Sequence, residues 1–138
     1  MRPLAEVEAR LDALESRGPV PADATELLAL GEDVLEHWVR ARGEEPTTDQ
    51  REGFRLLALH RQGCRDQPSF NACRETCREL VYHYNLLAPD SEGEAAGRHA
   101  RMMLLVARHL FLFVSGKMQV EQLGEFCCSS RPLRQEAG

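Results

Sequence analysis

From Met102 to Val114 the chain reads MMLLVARHLFLFV, apolar except at Arg108 and His109. At helical periodicity these residues fall on every side, leaving no polar face, so this helix must be enclosed by its own bundle or by another chain. That requirement constrains the fold more than any other feature. The stretch is well short of the roughly 20 apolar residues that span a bilayer. The start of the chain, MRPLAEVEARLDALE, carries acids where a signal peptide has its apolar region. Both features point to a cytoplasmic protein with no membrane partner.

Turn and cap residues divide the rest of the chain. Pro3 suits a first helical position, and Leu4, Val7, Leu11 and Leu14 recur at three-four spacing until Gly18. Asp23 is placed to cap a second helix with Leu27, Gly31, Val34, Leu35 and Trp38 on one face, ending at Gly43. Thr47 with Gln50 has capping-box spacing ahead of a third helix that carries Phe54, Leu56, Leu57 and His60 and stops near Gly63. Ser69 is placed to cap a fourth helix, which Pro89 stops, and Ser91 with Glu94 repeats the box before a fifth helix running to about Val114. A short sixth helix over Gln119–Phe126 precedes a frayed tail, 129–138.

No segment alternates like a strand. The expected fold is all-α: a compact bundle of five to six helices, with four main helices in antiparallel succession. Residues 1–128 form a single helical domain. The helix in 1–18 lies at its periphery or at the interface of a homodimer.

The chain has 138 residues, one domain's worth, with five cysteines, a single lysine (Lys117) and no isoleucine. Positive charge carried almost wholly by arginine points to a high-GC bacterial genome. Residues 1–50 hold five arginines and twelve acids, a net of −7, whereas 51–138 hold twelve bases and ten acids. Neither half has the basic stripe that nucleic acid requires, and an acidic first third suits a basic protein partner. An odd number of cysteines in a reducing compartment points to free thiols or ligands and away from a disulfide framework.

Three helices bring soft or imidazole ligands towards the expected core. Cys73 and Cys77 stand one turn apart, about 40° around the helix, on the line of Leu80 and Tyr84. His60 shares a face with Leu57, and Cys64 joins it if that helix extends. On the fifth helix His99, Met102, Val106, His109 and Phe113 fall within one arc. A thiolate pair with a facing histidine or methionine can hold Cu(I) or Zn(II), so Cys73, Cys77 and His109 form one candidate metal set, with Cys64, His60 and Met102 as further ligands. The adjacent Cys127 and Cys128 offer a second thiol pair. The same cysteines also fit a role as small buried hydrophobes.

No Gly-rich phosphate loop, nucleophile elbow or His-Glu-x-x-His helix occurs, and no complete catalytic set survives a check of helical facing. Opposite the cysteine line, Tyr82 and Leu86 form an outward aromatic-aliphatic pair of the kind that anchors partners. The reading from sequence is therefore a non-catalytic accessory or regulatory protein that binds another protein through Tyr82 and Leu86. The alternative is a soft-metal or cofactor-binding bundle, and a thiol oxidoreductase ranks third.

Overall fold

The computed structural model describes residues 1–121. Five α-helices pack together: α1 (Leu4–Arg17), α2 (Ala24–Ala41), α3 (Arg55–Gly63), α4 (Asn71–Leu87) and α5 (Ala96–Val120). Single 3-10 turns at Pro21–Asp23, Pro68–Phe70 and Ala88–Asp90 join them, and no strand occurs among the described residues. The expected all-α bundle is the fold observed.

Each helix is drawn inward by its apolar line. Leu4, Val7, Leu11 and Leu14 of α1 are fully buried, and α1 packs on α2 and α5, so it belongs to the bundle. Gly18, at φ 90°, ends it and donates its N–H to the Leu14 carbonyl. At Gly31 of α2, a Cβ would lie 3.1 Å from Leu80, 3.2 Å from Leu56 and 3.5 Å from Leu110. A bare hydrogen at this position lets α3, α4 and α5 all close on α2.

The expected side-chain caps are not formed. The Asp23 carboxylate accepts instead from the Val20 N–H at 2.8 Å and from Arg17 at 2.9 Å. Proline-led 3-10 turns run directly into α2 and α4, supplying backbone acceptors where Asp23 and Ser69 were expected to serve. The α5 helix begins at Ala96, beyond the Ser91–Glu94 pair, with no side-chain cap. Thr47 opens no helix. Its Oγ1 accepts from the Asp49 N–H, and its backbone is tied to α3 through Gln62 and Arg55. The chain then turns at Glu52 (φ 55°) and Gly53 (φ 85°), closed by reciprocal bonds of 3.0 Å between Arg51 and Phe54.

Helix directions alternate at three of the four junctions. Arg2 meets Asp33 and Arg10 meets Glu26 across α1 and α2; Phe54 meets Tyr84 across the start of α3 and end of α4; His83 meets His99 across α4 and α5. Between α2 and α3 the contacts advance together, Gly31 with Leu56 and Trp38 with Gly63, so these two helices run the same way. The segment 42–54 is long enough to carry the chain back along the bundle, since an extended residue covers about twice the rise of a helical one.

The α5 helix departs from expectation at both its end and its faces. It continues through Gln119 and Val120, the start of the expected sixth helix; the remainder of that helix, Cys127, Cys128 and the 129–138 tail lie outside the described residues. Over its full 25 residues it is long and apolar enough to cross a membrane by length and composition, with mean hydropathy 1.3 over its most apolar window, half of which is buried in the bundle. It is not enclosed on every side, because Arg98, Arg101, Leu105, His109, Leu112 and Val120 form one exposed line.

Charge pairing alters the meaning of the acidic first third. At least ten of its twelve acids lie within 4.0 Å of an arginine, with Arg55, Arg65 and Arg108 reaching across from later in the chain. Those three arginines offset three of the seven excess negative charges of this segment within the fold.

Candidate functional site

The inner line of α4 places Cys73 (3% exposed) and Cys77 (0%) one turn apart against the core. Facing them, His60 of α3 is buried, and its Nε2 lies 2.9 Å from the Phe70 carbonyl. A carbonyl only accepts, so Nε2 carries a proton and donates it to this bond. The Cys73 thiol hydrogen-bonds with Cys77 and with His60. The bond from Cys77 is the largest influence on it; burial opposes ionisation, while His60 and then the charge of His109 favour it, and the thiol is held down to about 6. Cys77 moves the other way, pushed up by the hydrogen bond it donates to Cys73 and by burial. Ionisation of the pair is thus centred on Cys73, favoured chiefly by the bond from the Cys77 thiol.

The other expected ligands do not join this group. His109 is exposed and Met102 half-buried, and both line a groove between α4 and α5 with Thr76, Glu79, Leu105 and Val106. The arc drawn through them from sequence is centred on the flank of α5, whose core line is Met103, Ala107, Leu110 and Val114. Cys64 is partly exposed, and its thiol donates to the Arg61 carbonyl at 3.3 Å. Cys73, Cys77 and His60 therefore come together, and His109, Met102 and Cys64 do not. Among the described residues no three His, Cys, Asp or Glu side chains are placed to share one metal ion.

Tyr82 and Leu86 stand outward as expected, at 58% and 42% exposure. Sequence reasoning missed the exposed hydrophobic side chains of α5: Leu105 is 62% exposed, Leu112 57% and Val120 82%. Leu105 separates two grooves. The one towards α4 is about 220 Å³, and the one towards α1, lined by Glu15, Gly18, Pro19, Leu104 and Arg108, is about 370 Å³. The arginine-leucine spacing at 98, 101, 105, 112 was available as a signal, but the apolar run around it read as wholly buried.

Two further clusters join residues distant in the chain and had no local signal. His83 and His99 touch Nδ1 to Nδ1 at 2.9 Å, so one ring donates and the other accepts. Burial, then the charge of His99, pushes the His83 pKa down against the upward pull of Glu79. The second cluster is a cavity of about 220 Å³ between α3, the 51–54 turn and the first turns of α4. Its walls are Arg51, Leu57, His60, Arg61, Cys64, Asn71, Arg74 and Arg78.

Fold and sites together define an all-helical bundle with a buried thiol-imidazole pair inside and an apolar ridge outside. No family model, curated protein or solved structure matches this chain.

Proposed function

We propose that the protein is a binding module that docks an amphipathic helix of another protein along the outer face of α4 and α5. One observation carries this reading: of seven large hydrophobics exposed among the described residues, five are on these two helices, Tyr82, Leu86, Leu105, Leu112 and Val120. Leu105 and Leu112 are seven residues apart, two helical turns, the spacing at which a second helix can seat its own side chains between them. Grooves on both sides of Leu105 offer room for those side chains. Arg98 and Arg101 continue the line without an ion pair among the described residues, so the partner helix is expected to carry acids at that end.

The test is site-specific photocrosslinking in the source cells. A photoreactive residue at Leu105 is expected to capture a discrete partner, and Leu112→Asp is expected to abolish capture, while the same probe at Asp49 captures nothing. Equal capture from both positions, or capture unaffected by Leu112→Asp, overturns the reading. Ultracentrifugation tests the other occupant: a dimer dissociated by Leu112→Asp would assign the face to a second copy of this chain.

A second reading rests on the Cys73, Cys77 and His60 contact. A thiol with a lowered pKa beside one with a raised pKa supports thiol chemistry after a local opening. Native-state alkylation of Cys73 that tracks its ionisation, and is lost in Cys73→Ser, is the expected outcome.

A further inference from the structure

We propose that the cavity between α3, the 51–54 turn and α4 binds the phosphate group of a small phosphorylated molecule. Four arginines line it, from three separate segments: Arg51 of the turn, Arg61 of α3, and Arg74 and Arg78 one turn apart on α4. No carboxylate is among its lining residues, although the chain as a whole carries a net −5. The extensive pairing elsewhere makes this concentration informative. Among the described residues Arg51 and Arg61 have no acid within 4.0 Å, Arg74 has only Glu75 at 3.8 Å, and Arg78 has only exposed Glu52 at 3.3 Å. Gathering four guanidinium groups around one space with no carboxylate in its lining favours an anion there.

Ligand class follows from charge and size. Guanidinium forks bind phosphate oxygens in pairs, and four of them match a dianion better than a single carboxylate. A space of about 220 Å³ is below the roughly 300 Å³ at which small-molecule pockets begin, so it suits one charged group and not a whole metabolite. A second cavity of about 610 Å³ shares Arg51 and Arg61 with it and is walled by Thr47, Asp49, Gln50 and Gln62. Those polar side chains and the single acid suit the hydroxyl-rich or amine-bearing remainder of a phosphomonoester.

The experiment is calorimetric titration of the full chain with inorganic phosphate at constant ionic strength. Saturable millimolar or tighter binding is expected, weakened about tenfold for each of Arg51→Gln and Arg61→Gln. Both side chains are exposed, so the variants keep the fold. Arg101→Gln removes an arginine that lines neither of these cavities and is expected to bind phosphate as the unaltered protein does. A second readout uses Cys64 on the cavity wall: phosphate is expected to slow its alkylation by neutral iodoacetamide in the unaltered protein but not in the double variant. Absence of binding, equal weakening by Arg101→Gln, or Cys64 protection that survives loss of Arg51 and Arg61 would each overturn the assignment. So would tighter binding of a single-stranded oligonucleotide that these two substitutions abolish, because the arginines would then serve a nucleic-acid backbone.

Discussion

Gly63→Ala sets helix propensity against packing with opposite signs. Gly63 sits in the last turn of α3 at an ordinary helical φ, so alanine alone would be expected to stabilise by about 1 kcal/mol. Its Cβ, however, would lie 2.8 Å from Trp38 Cδ1 and 3.2 Å from Nε1. The indole has nowhere to retreat: it is fully buried, stacks on Phe70 at 4.7 Å, and donates from Nε1 to the Gly63 carbonyl at 2.8 Å. Overpacking costs about 1–3 kcal/mol. A weakened buried hydrogen bond adds about 1 kcal/mol, which offsets the propensity gain. The expected net loss is about 1–3 kcal/mol, or a fall in melting temperature of roughly 5–10 °C for a domain of this size. Urea titration followed by far-UV circular dichroism measures the loss, and fluorescence of Trp38, the only tryptophan, reports the displaced ring. In a Trp38→Leu background the same substitution should cost at least about 1 kcal/mol less. Unchanged or increased stability of Gly63→Ala would refute the packing argument.

Four other outcomes are expected. Thiolate ultraviolet absorbance should show a transition at about 6 that vanishes in Cys73→Ala. Cys77→Ala should move the Cys73 transition upward, because it removes the largest favourable influence and leaves burial in place; an unmoved midpoint contradicts the hydrogen-bond assignment. His83 has a folded pKa below the ordinary histidine value of 6.5, so its contribution to stability is complete above that value and is lost as pH falls through the folded pKa. Stability-versus-pH curves should therefore flatten below 6.5 in His83→Gln, and curves coinciding with the unaltered protein would contradict this. Leu105→Ser and Tyr82→Ser, at exposed positions, should change stability by no more than about 0.5 kcal/mol, and a larger loss would mean that these side chains serve the fold instead of a partner.

The apolar lines of α1, α2 and α4 were legible because helical periodicity reports burial directly, and the buried Cys73–Cys77 pair followed from it. Helix starts were less legible. Asp23, Thr47, Ser69 and Ser91 have the right chemistry for caps, but neighbouring backbone turns or tertiary contacts took their place. On α5 the apolar run is too continuous to define a face, so His109 was placed inside when the helix turns it out. The His83–His99 contact and the arginine cavity depend on how helices are set against one another, a relation no single helix carries. His60 gave a partial signal: its inward position was readable, whereas its bond to the Phe70 carbonyl depends on the 3-10 turn before α4.

The turn at 51–54 contributes Arg51 and, through Glu52, a partner for Arg78, yet it belongs to no helix. Its own backbone is closed by the two bonds between Arg51 and Phe54. Its amide protons can therefore exchange with solvent by opening of the turn alone, without unfolding the bundle. Hydrogen exchange at Arg51 and Phe54 thus measures the local free energy of one cavity wall separately from global stability. In evolutionary terms, the same independence lets this wall change length or charge while the five helices keep their packing.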